Sequence, residues 1–297
     1  MGIAPTKGRA KAAWAARQQL PGWNFAPLQA SHLQPQDMIL TVETGLSLRQ
    51  AKLLAEAAGL WLPLDGPSID LPLGQWLAGD LSASWLCGSW GTARDHIVAM
   101  TVLNDNGQEV RSGAAVVKNV AGHNLAPLYV GGHHAFGPIL QLSFRLLPMP
   151  SLAFHLAPTD SSDPCIVARI RWPDGEGALV HRAAASGAGP PPLMEQVCPL
   201  PPGPWCLSAP LAQENMFNDE LRDAPFGWLA LPGSGTVLVE GGEPAAAFVE
   251  KHGGRCWPLG KVPPPKSALH GDDRHFLQQI KTGLDPQGHY PPLPHWL

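Results

Sequence analysis

Between residues 37 and 150, short apolar periods alternate with turn signals. DMILTVETG (37–45) alternates apolar and polar positions and ends on a glycine, which predicts a strand. Ser47 opens SLRQAKLLAEAAG, in which Leu48, Ala51, Leu54, Ala55 and Ala58 form one helical stripe and Arg49, Lys52 and Glu56 fall opposite. Ser47 and Gln50 have capping-box spacing, and Gly59 supplies the stop. LWLPLDGP reads as extended, and IDLPLGQWLAGDL (69–81) as a short helix with Gly74 near its start. HIVAMTVLNDNGQEVRSG (96–113) predicts a hairpin turning at Asn106-Gly107, where positive φ is needed. PILQLSFRLLPMP (138–150) predicts a buried strand closed by prolines.

Beyond Pro150 the pattern loosens. CIVARIRW (165–172), GWLAL and TVLVE predict strands; EGALVHRAAAS (176–186) and EPAAAFVEKHG (243–253) predict helices. DDRHFLQQIKTGLDP (272–286) predicts a last amphipathic helix, stopped by Gly283 and Pro286. The chain divides into a basic arm (1–36), a first domain (37–150) and a C-terminal region (151–297) with proline clusters at 190–204, 263–265 and 291–294.

Charged residues make up 15% of the 297-residue chain, well below the usual quarter, which points to a surface covered by partners. Net charge is −4, and no basic stripe with interleaved aromatics appears, so nucleic acid is not an expected partner. Glycine and proline together approach the level of a disordered chain, but eleven tryptophans argue for packed structure. Five cysteines with no C-x-x-C exclude a zinc ribbon or a cysteine-ligated iron–sulfur cluster within this chain and fit a reducing cytoplasm. Residues 1–36 carry four basic residues and no acid, without the apolar core of a secretory signal; a solvated or partner-docked helix is expected of them, with peripheral membrane contact as the alternative.

Three stretches carry candidate chemistry. GSWGTARDHI (88–97) sets glycines, Thr92 and Asp95 before a strand, as a phosphate-facing loop does and as an ordinary glycine turn also does. In VVKNVAGHN (116–124), Lys118 and Asn119 offer a charge and an amide beside a glycine, for a ligand or for a strand end. GGHHAFG (131–137) presents adjacent histidines, whose side chains diverge, and no neighbouring acid completes a metal set, so no metal site is expected. Nucleophile elbows, paired acids, G-x-G-x-x-G and Walker motifs are absent from the sequence, and no catalytic residue is assigned.

Taken in order, GTARDHIVAMTVLNDNGQEVRSG, VVKNVAGHNL and LYVGGHHAFGPILQLSFRLLP resemble the flavin domain of the vanillyl-alcohol-oxidase-like (PCMH-type) family, and within it the FAD-binding subunits of bacterial glycolate oxidases. IKTGLDPQGHYPP echoes the family's C-terminal ending. The resemblance implies an α+β fold: a truncated PCMH-type FAD-binding domain with a mixed or antiparallel sheet and flanking helices, followed by a smaller α+β region. It implies FAD as cofactor, with Gly74, Gly91, Thr92 and Asp95 along the pyrophosphate and ribityl chain. Lys118 and Asn119 would support the same pocket, and Gly137 and Ile139 would pass their backbone beside the adenine or its linker. The implied partners are a catalytic flavin subunit and an iron–sulfur subunit, in a cytoplasmic complex with at most peripheral membrane contact. The chain departs from the family pattern in six ways: residues 1–36 contain no glycine-rich R-G-G-G-T-type loop, Gly74-Gln75 replaces paired glycines, His123-Asn124 replaces Tyr-Asp, His133-His134 replaces small residues, Pro138 replaces a valine, and Pro291-Pro292-Leu293 replaces Asn-Pro-Gly. A flavin-less scaffold subunit is therefore the alternative expectation.

Overall fold

The computed structural model describes residues 28–66, 68–79, 86, 90–115, 125–157, 166–172, 175–183, 204–208, 221, 223–231, 236–240, 248, 255–258 and 271–293. In chain order the first half runs β1 (Ser31–Gln34), β2 (Ile39–Glu43), α1 (Leu48–Glu56), β3 (Leu60–Trp61), α2 (Leu73–Ala78), α3 (Ala93–His96), β4 (Ile97–Leu103), β5 (Glu109–Gly113), α4 (Ala126–Tyr129), β6 (Ile139–Arg145) and β7 (Leu147–Pro148). The second half holds β8 (Leu152–Ala157), β9 (Ile166–Trp172), β10 (Gly175–Ala183), β11 (Pro204–Ser208), β12 (Trp228–Leu231), β13 (Thr236–Glu240), β14 (Arg255–Pro258) and α5 (Gly271–Leu284). The α+β class is as expected.

Five strands form an antiparallel sheet in the order β1-β2-β6-β4-β5. Alternation decides its faces. Leu40 opposes Phe144 and Val42 opposes Leu142, and all four are fully buried under the helical layer. Thr41 opposes Ser143 on the other face, and their hydroxyls pair at 2.8 Å. The apolar face packs against Leu48, Ala51 and Ala55 of α1 and against Leu73, Trp76 and Leu77 of α2. Burying a side chain of this size removes enough apolar surface to contribute roughly 1.5–3 kcal/mol each.

Helix α1 has its predicted capping box: Gln50 N–H donates to Ser47 Oγ at 3.2 Å, and Ser47 N–H donates to Gln50 Oε1 at 2.9 Å. Its stripe differs from the expected one. Lys52 is 5% exposed and donates from Nζ to Leu64 O at 2.9 Å, while Leu54 is 36% exposed and Ala58 lies in solvent. Positions 48, 51, 52 and 55 follow the i, i+3, i+4, i+7 face, which places the Lys52 stem inside and leaves Leu54 off it. Burial lowers the Lys52 pKa, against the opposing pull of Asp65 and Glu56.

Seven strands form a second antiparallel sheet, β14-β11-β13-β12-β9-β10-β8. Here one predicted helix is overturned. Residues 176–183 of that segment lie in strand β10, with Leu179 opposite Leu156 of β8 and Gly177 opposite Ile170 of β9; 184–186 lie outside the described residues. Alanine content signals helix locally, but β9 pairs with residues 175–180 and β8 with residues 178–183, and pairing of that kind overrides propensity. Of the predicted helix 243–253, Phe248 alone is described; the rest lies outside the described residues. The basic arm lies outside them up to residue 27, and its last part pairs as β1, His32 opposite Thr41.

The β4–β5 hairpin closes through five residues, Asn104–Gln108, rather than a two-residue turn: Asn104 N–H donates to Gln108 O (2.9 Å), and only Gly107 of the predicted pair has positive φ. At the hairpin's far end Gly113 sits at φ +75, where an added Cβ would stand 2.2 Å from Val98 O. Gly59, at φ +69, has nothing within 4 Å of that position. Gly59→Ala is therefore expected to cost about 1 kcal/mol of backbone strain. Gly113→Ala adds a backbone collision and is expected to cost more than ~2 kcal/mol. Urea unfolding midpoints of the two variants check this, and equal losses would refute the close approach at Gly113.

Candidate functional site

Three chain segments converge beside α2. The loop 130–134 caps the end of that helix: Gly131 N–H donates to Leu77 O at 2.8 Å and His133 N–H to Ala78 O at 2.7 Å. The guanidinium of Arg94 donates to Val130 O at 2.8 Å, which ties the same loop to α3. Trp90, just before α3, sets its ring edge-on to Trp61, centroids 5.3 Å apart, and its carbonyl lies 2.7 Å from His96 Nε2.

Most matched positions that the structure describes have their polar groups engaged within the chain. Gly74 is buried, and its N–H donates to Thr44 O at 3.0 Å. Thr44 Oγ1 donates to Ile139 O at 2.6 Å, so one threonine joins α2 to the head of β6. Gly91 turns at φ +88, and an added Cβ would meet the Asp95 side chain at 3.1 Å. Thr92 caps the single turn of α3: its N–H (2.7 Å) and hydroxyl (2.8 Å) both donate to Asp95 Oδ2. Burial opposes the Asp95 charge, but the two Thr92 bonds, with His96 and Arg94 nearby, hold its carboxyl below the usual range. Gly137 donates its N–H to His134 O at 3.1 Å; at φ +116 its open side faces Leu103 O, 2.4 Å from an ideal Cβ, and the Tyr290 ring at 3.2 Å. Ile139 is fully buried in β6 opposite Val102. Lys118 and Asn119, with the whole of 116–124, lie outside the described residues.

Gly74 and Ile139 thus meet through Thr44, and Gly91, Thr92 and Asp95 meet α2 through the loop 130–134. Gly137 belongs to a different neighbourhood, the end of β4 and the C-terminal segment. Sequence reasoning did not single out Thr44 or Tyr290, because each acts on a partner about 95 residues or more away. The described residues fit a flavin dinucleotide as a frame rather than as a phosphate cradle. The donors of Gly74, Thr92 and Gly137 are already used, and an ionised carboxylate stands at Thr92.

His133 and His134 both adopt left-handed backbone (φ 49 and 61), which non-glycine residues do at some cost. The loop holds them there through the bonds that cap α2. His134 Nδ1 is fully out of solvent. Burial, with His133 beside it, pushes the His134 pKa down to about 4. Elsewhere, Asp105, Asp285 and His289 bring ligand atoms within 4.8 Å of one another, but the Lys281 ammonium lies against Asp285 and supplies the positive charge there.

Comparison with known proteins places these observations. Residues 27–113 match the FAD binding domain family. Escherichia coli glycolate oxidase subunit GlcE is 30% identical over 126 residues, 41% of this chain and 35% of that protein. The mitochondrial cytochrome-type D-lactate dehydrogenase of Arabidopsis thaliana is 31% identical over 123 residues, 41% of this chain and 21% of that protein. The match thus spans about a third or less of the length of these relatives. A VAO-type flavoprotein from Myceliophthora thermophila superposes with TM-score 0.61 at 13% identity, covering 90% of this chain and 69% of that one.

The neutral state of His134 has a consequence for acid stability. An imidazole whose folded pKa is depressed stabilises the fold above its unfolded value, about 6.5. That contribution is lost as pH falls toward about 4, since the unfolded chain binds the proton more readily. Denaturant unfolding at several pH values through this window should show wild type losing a few kcal/mol more than His134→Gln, and parallel losses would contradict it. The chain has the fold of the VAO-type flavoproteins, and its residues 27–113 are where its sequence matches the FAD binding domain family.

Proposed function

We propose that this chain is the FAD-binding, electron-transferring subunit of a complex that oxidises 2-hydroxy acids of the glycolate or D-lactate kind. The observation that carries the reading is the match of 27–113 to the FAD binding domain, together with similarity to GlcE and to D-lactate dehydrogenases over the same part of the chain. A partner flavin subunit would oxidise the substrate, and an iron–sulfur subunit would take electrons onward. Bound FAD accepts and passes on reducing equivalents; the protein's share is to place and tune it. No residue of this chain is assigned a catalytic role.

In this reading Gly91 and the loop 130–134 line the cofactor's approach, α2 and Arg94 hold that loop in place, and Lys118 and Asn119 supply donors in place of those of Gly74, Thr92 and Gly137, which are already engaged. Among the described residues no helix is long and apolar enough to cross a membrane, and the complex is proposed to be cytoplasmic with peripheral membrane contact. A second reading rests on a specific observation: the engaged groups of Gly74, Thr92 and Gly137 favour a flavin-less subunit that keeps the domain's shape to hold the complex together. Charge-assisted hydrogen bonds contribute roughly 1.5–3 kcal/mol each, so the loss of a few donors lowers FAD affinity by orders of magnitude.

Flavin released from the purified complex, counted against subunit stoichiometry, separates the two. The proposal expects one flavin per copy of this chain beyond those of the catalytic subunit. A count that stops at the catalytic subunit leaves the scaffold reading. A chain that purifies alone, without any oxidoreductase subunit, removes both.

A further inference from the structure

The proposed function leaves unused a buried acid in the β4–β5 turn. Asp105 is 4% exposed; both of its carboxylate oxygens are out of solvent, and neither receives a hydrogen bond. An ionised carboxylate buried without donors is costly unless a cation answers it. What stands beside it comes from the C-terminal segment. The half-buried His289 places Nδ1 2.6 Å from Asp105 Oδ1 and 3.2 Å from Asp105 O. Asp285, just after α5 and also 4% exposed, completes a group of three whose ligand atoms all lie within 4.8 Å of one another.

The nearby ammonium is already used. Lys281, one helical turn before Asp285, lies against Asp285 Oδ2 and donates to Tyr290 O at 3.3 Å. Oδ2 also takes the Tyr290 N–H (3.0 Å), whereas Oδ1 takes the His289 N–H (2.7 Å) and keeps a lone pair for a further bond. Metal ligands are ionised carboxylates and neutral imidazoles; in those forms the two acids, Lys281 and His289 sum to one negative charge. The cluster is therefore short of positive charge at Asp105, where an oxygen of each acid and the near nitrogen of His289 converge. An imidazole nitrogen among carboxylate oxygens suits a divalent transition ion, whereas calcium and magnesium favour all-oxygen sets. Zinc holds such donors at about 2.0–2.2 Å and so about 3.4 Å apart round a tetrahedron, a separation the 4.8 Å grouping allows.

We propose that Asp105, Asp285 and His289 bind one divalent transition-metal ion, zinc foremost, and that the ion clamps the C-terminal segment to the hairpin turn. Asp105 precedes Asp285 by about 180 residues, so the ion joins segments distant in sequence, and its binding free energy goes into holding them together. The Tyr290 hydroxyl, donating to Leu103 O at 3.1 Å, fastens the same two segments beside it. All three ligands belong to this chain, and the clamp does not depend on bound flavin.

Equilibrium dialysis of the chelator-stripped full chain against Zn2+, with the metal counted by mass spectrometry, tests this. Wild type should retain one tight equivalent, and an excess of Mg2+ should leave it in place. Asp105→Asn and His289→Gln should each weaken binding by at least about ten- to a hundredfold, the cost typical of losing even an outer-shell partner. Three results overturn the proposal: no tight equivalent in wild type, zinc displaced by Mg2+, or an Asp105→Asn variant that binds zinc as wild type does, the metal then sitting on other histidines. Where a variant fails to fold, hydrogen–deuterium exchange of wild type with and without Zn2+ decides. Peptides covering 104–108 and 285–293 should gain protection while α1 stays as it was, and unchanged exchange in those two segments also overturns the clamp.

Discussion

Strand β6 is hydrogen-bonded along both edges, to β2 on one side and β4 on the other, and the rest of the first sheet is ordered around it. Its partner on β2 lies about 100 residues earlier; the Thr41–Ser143 hydroxyl pair spans 102. Such a contact closes a long loop before it is rewarded, and the reward is the burial of Leu40, Val42, Leu142 and Phe144 on one face. Thr44 secures the strand's head by donating to the Ile139 carbonyl, and the Thr44 carbonyl then receives the Gly74 N–H. One residue thus sets the height of α2 on the sheet, and α2 in turn receives the loop 130–134. The candidate site inherits its geometry from that chain of contacts.

The glycines of the stretch 111–140 follow from the same constraint. Gly113 is demanded by the Val98 carbonyl, Gly132 by the Leu128 carbonyl, at 2.6 Å from an ideal Cβ, and Gly137 by the Leu103 carbonyl. Each lets backbone pass close to backbone. Glycine richness here serves the fold first, and a dinucleotide that uses this frame has to take its donors from elsewhere in the chain. The histidines in the loop sharpen the point. A left-handed His133-His134 pair is kept in place by the carbonyls at the end of α2, although glycine would adopt that backbone without strain.

The C-terminal segment packs back on the core of the first sheet. Leu277, Ile280 and Leu293 pack against the first core, and Tyr290 fills the open side of Gly137. Apolar packing alone would leave the hairpin turn's Asp105 buried without compensation. The Lys281 ammonium against Asp285 and the His289 ring beside Asp105 make the attachment there a specific one.

Short-range signals made much of residues 37–150 legible. The β2 alternation, the Ser47–Gln50 capping box, the α2 segment around Gly74, the β4–β5 hairpin and the buried β6 all follow from periodicity and turn chemistry over a few residues. The same reasoning misplaced Lys52 and Leu54 by a fraction of a helical turn and read β10 as a helix, because the identity of a packing face and the presence of flanking strands are not local properties. The motif order also carried the flavoprotein resemblance, which the comparisons support over 27–113. What the tertiary structure alone decided is where the polar groups go. Thr92 is spent on Asp95 three residues away, within reach of a sequence argument, but Thr44 on Ile139, Gly137 on Tyr290 and Asp105 on His289 join residues about 95 to 185 positions apart. No pattern along the chain encodes such pairings, since they arise only when two sheet edges and a returning helix exclude water from the same space.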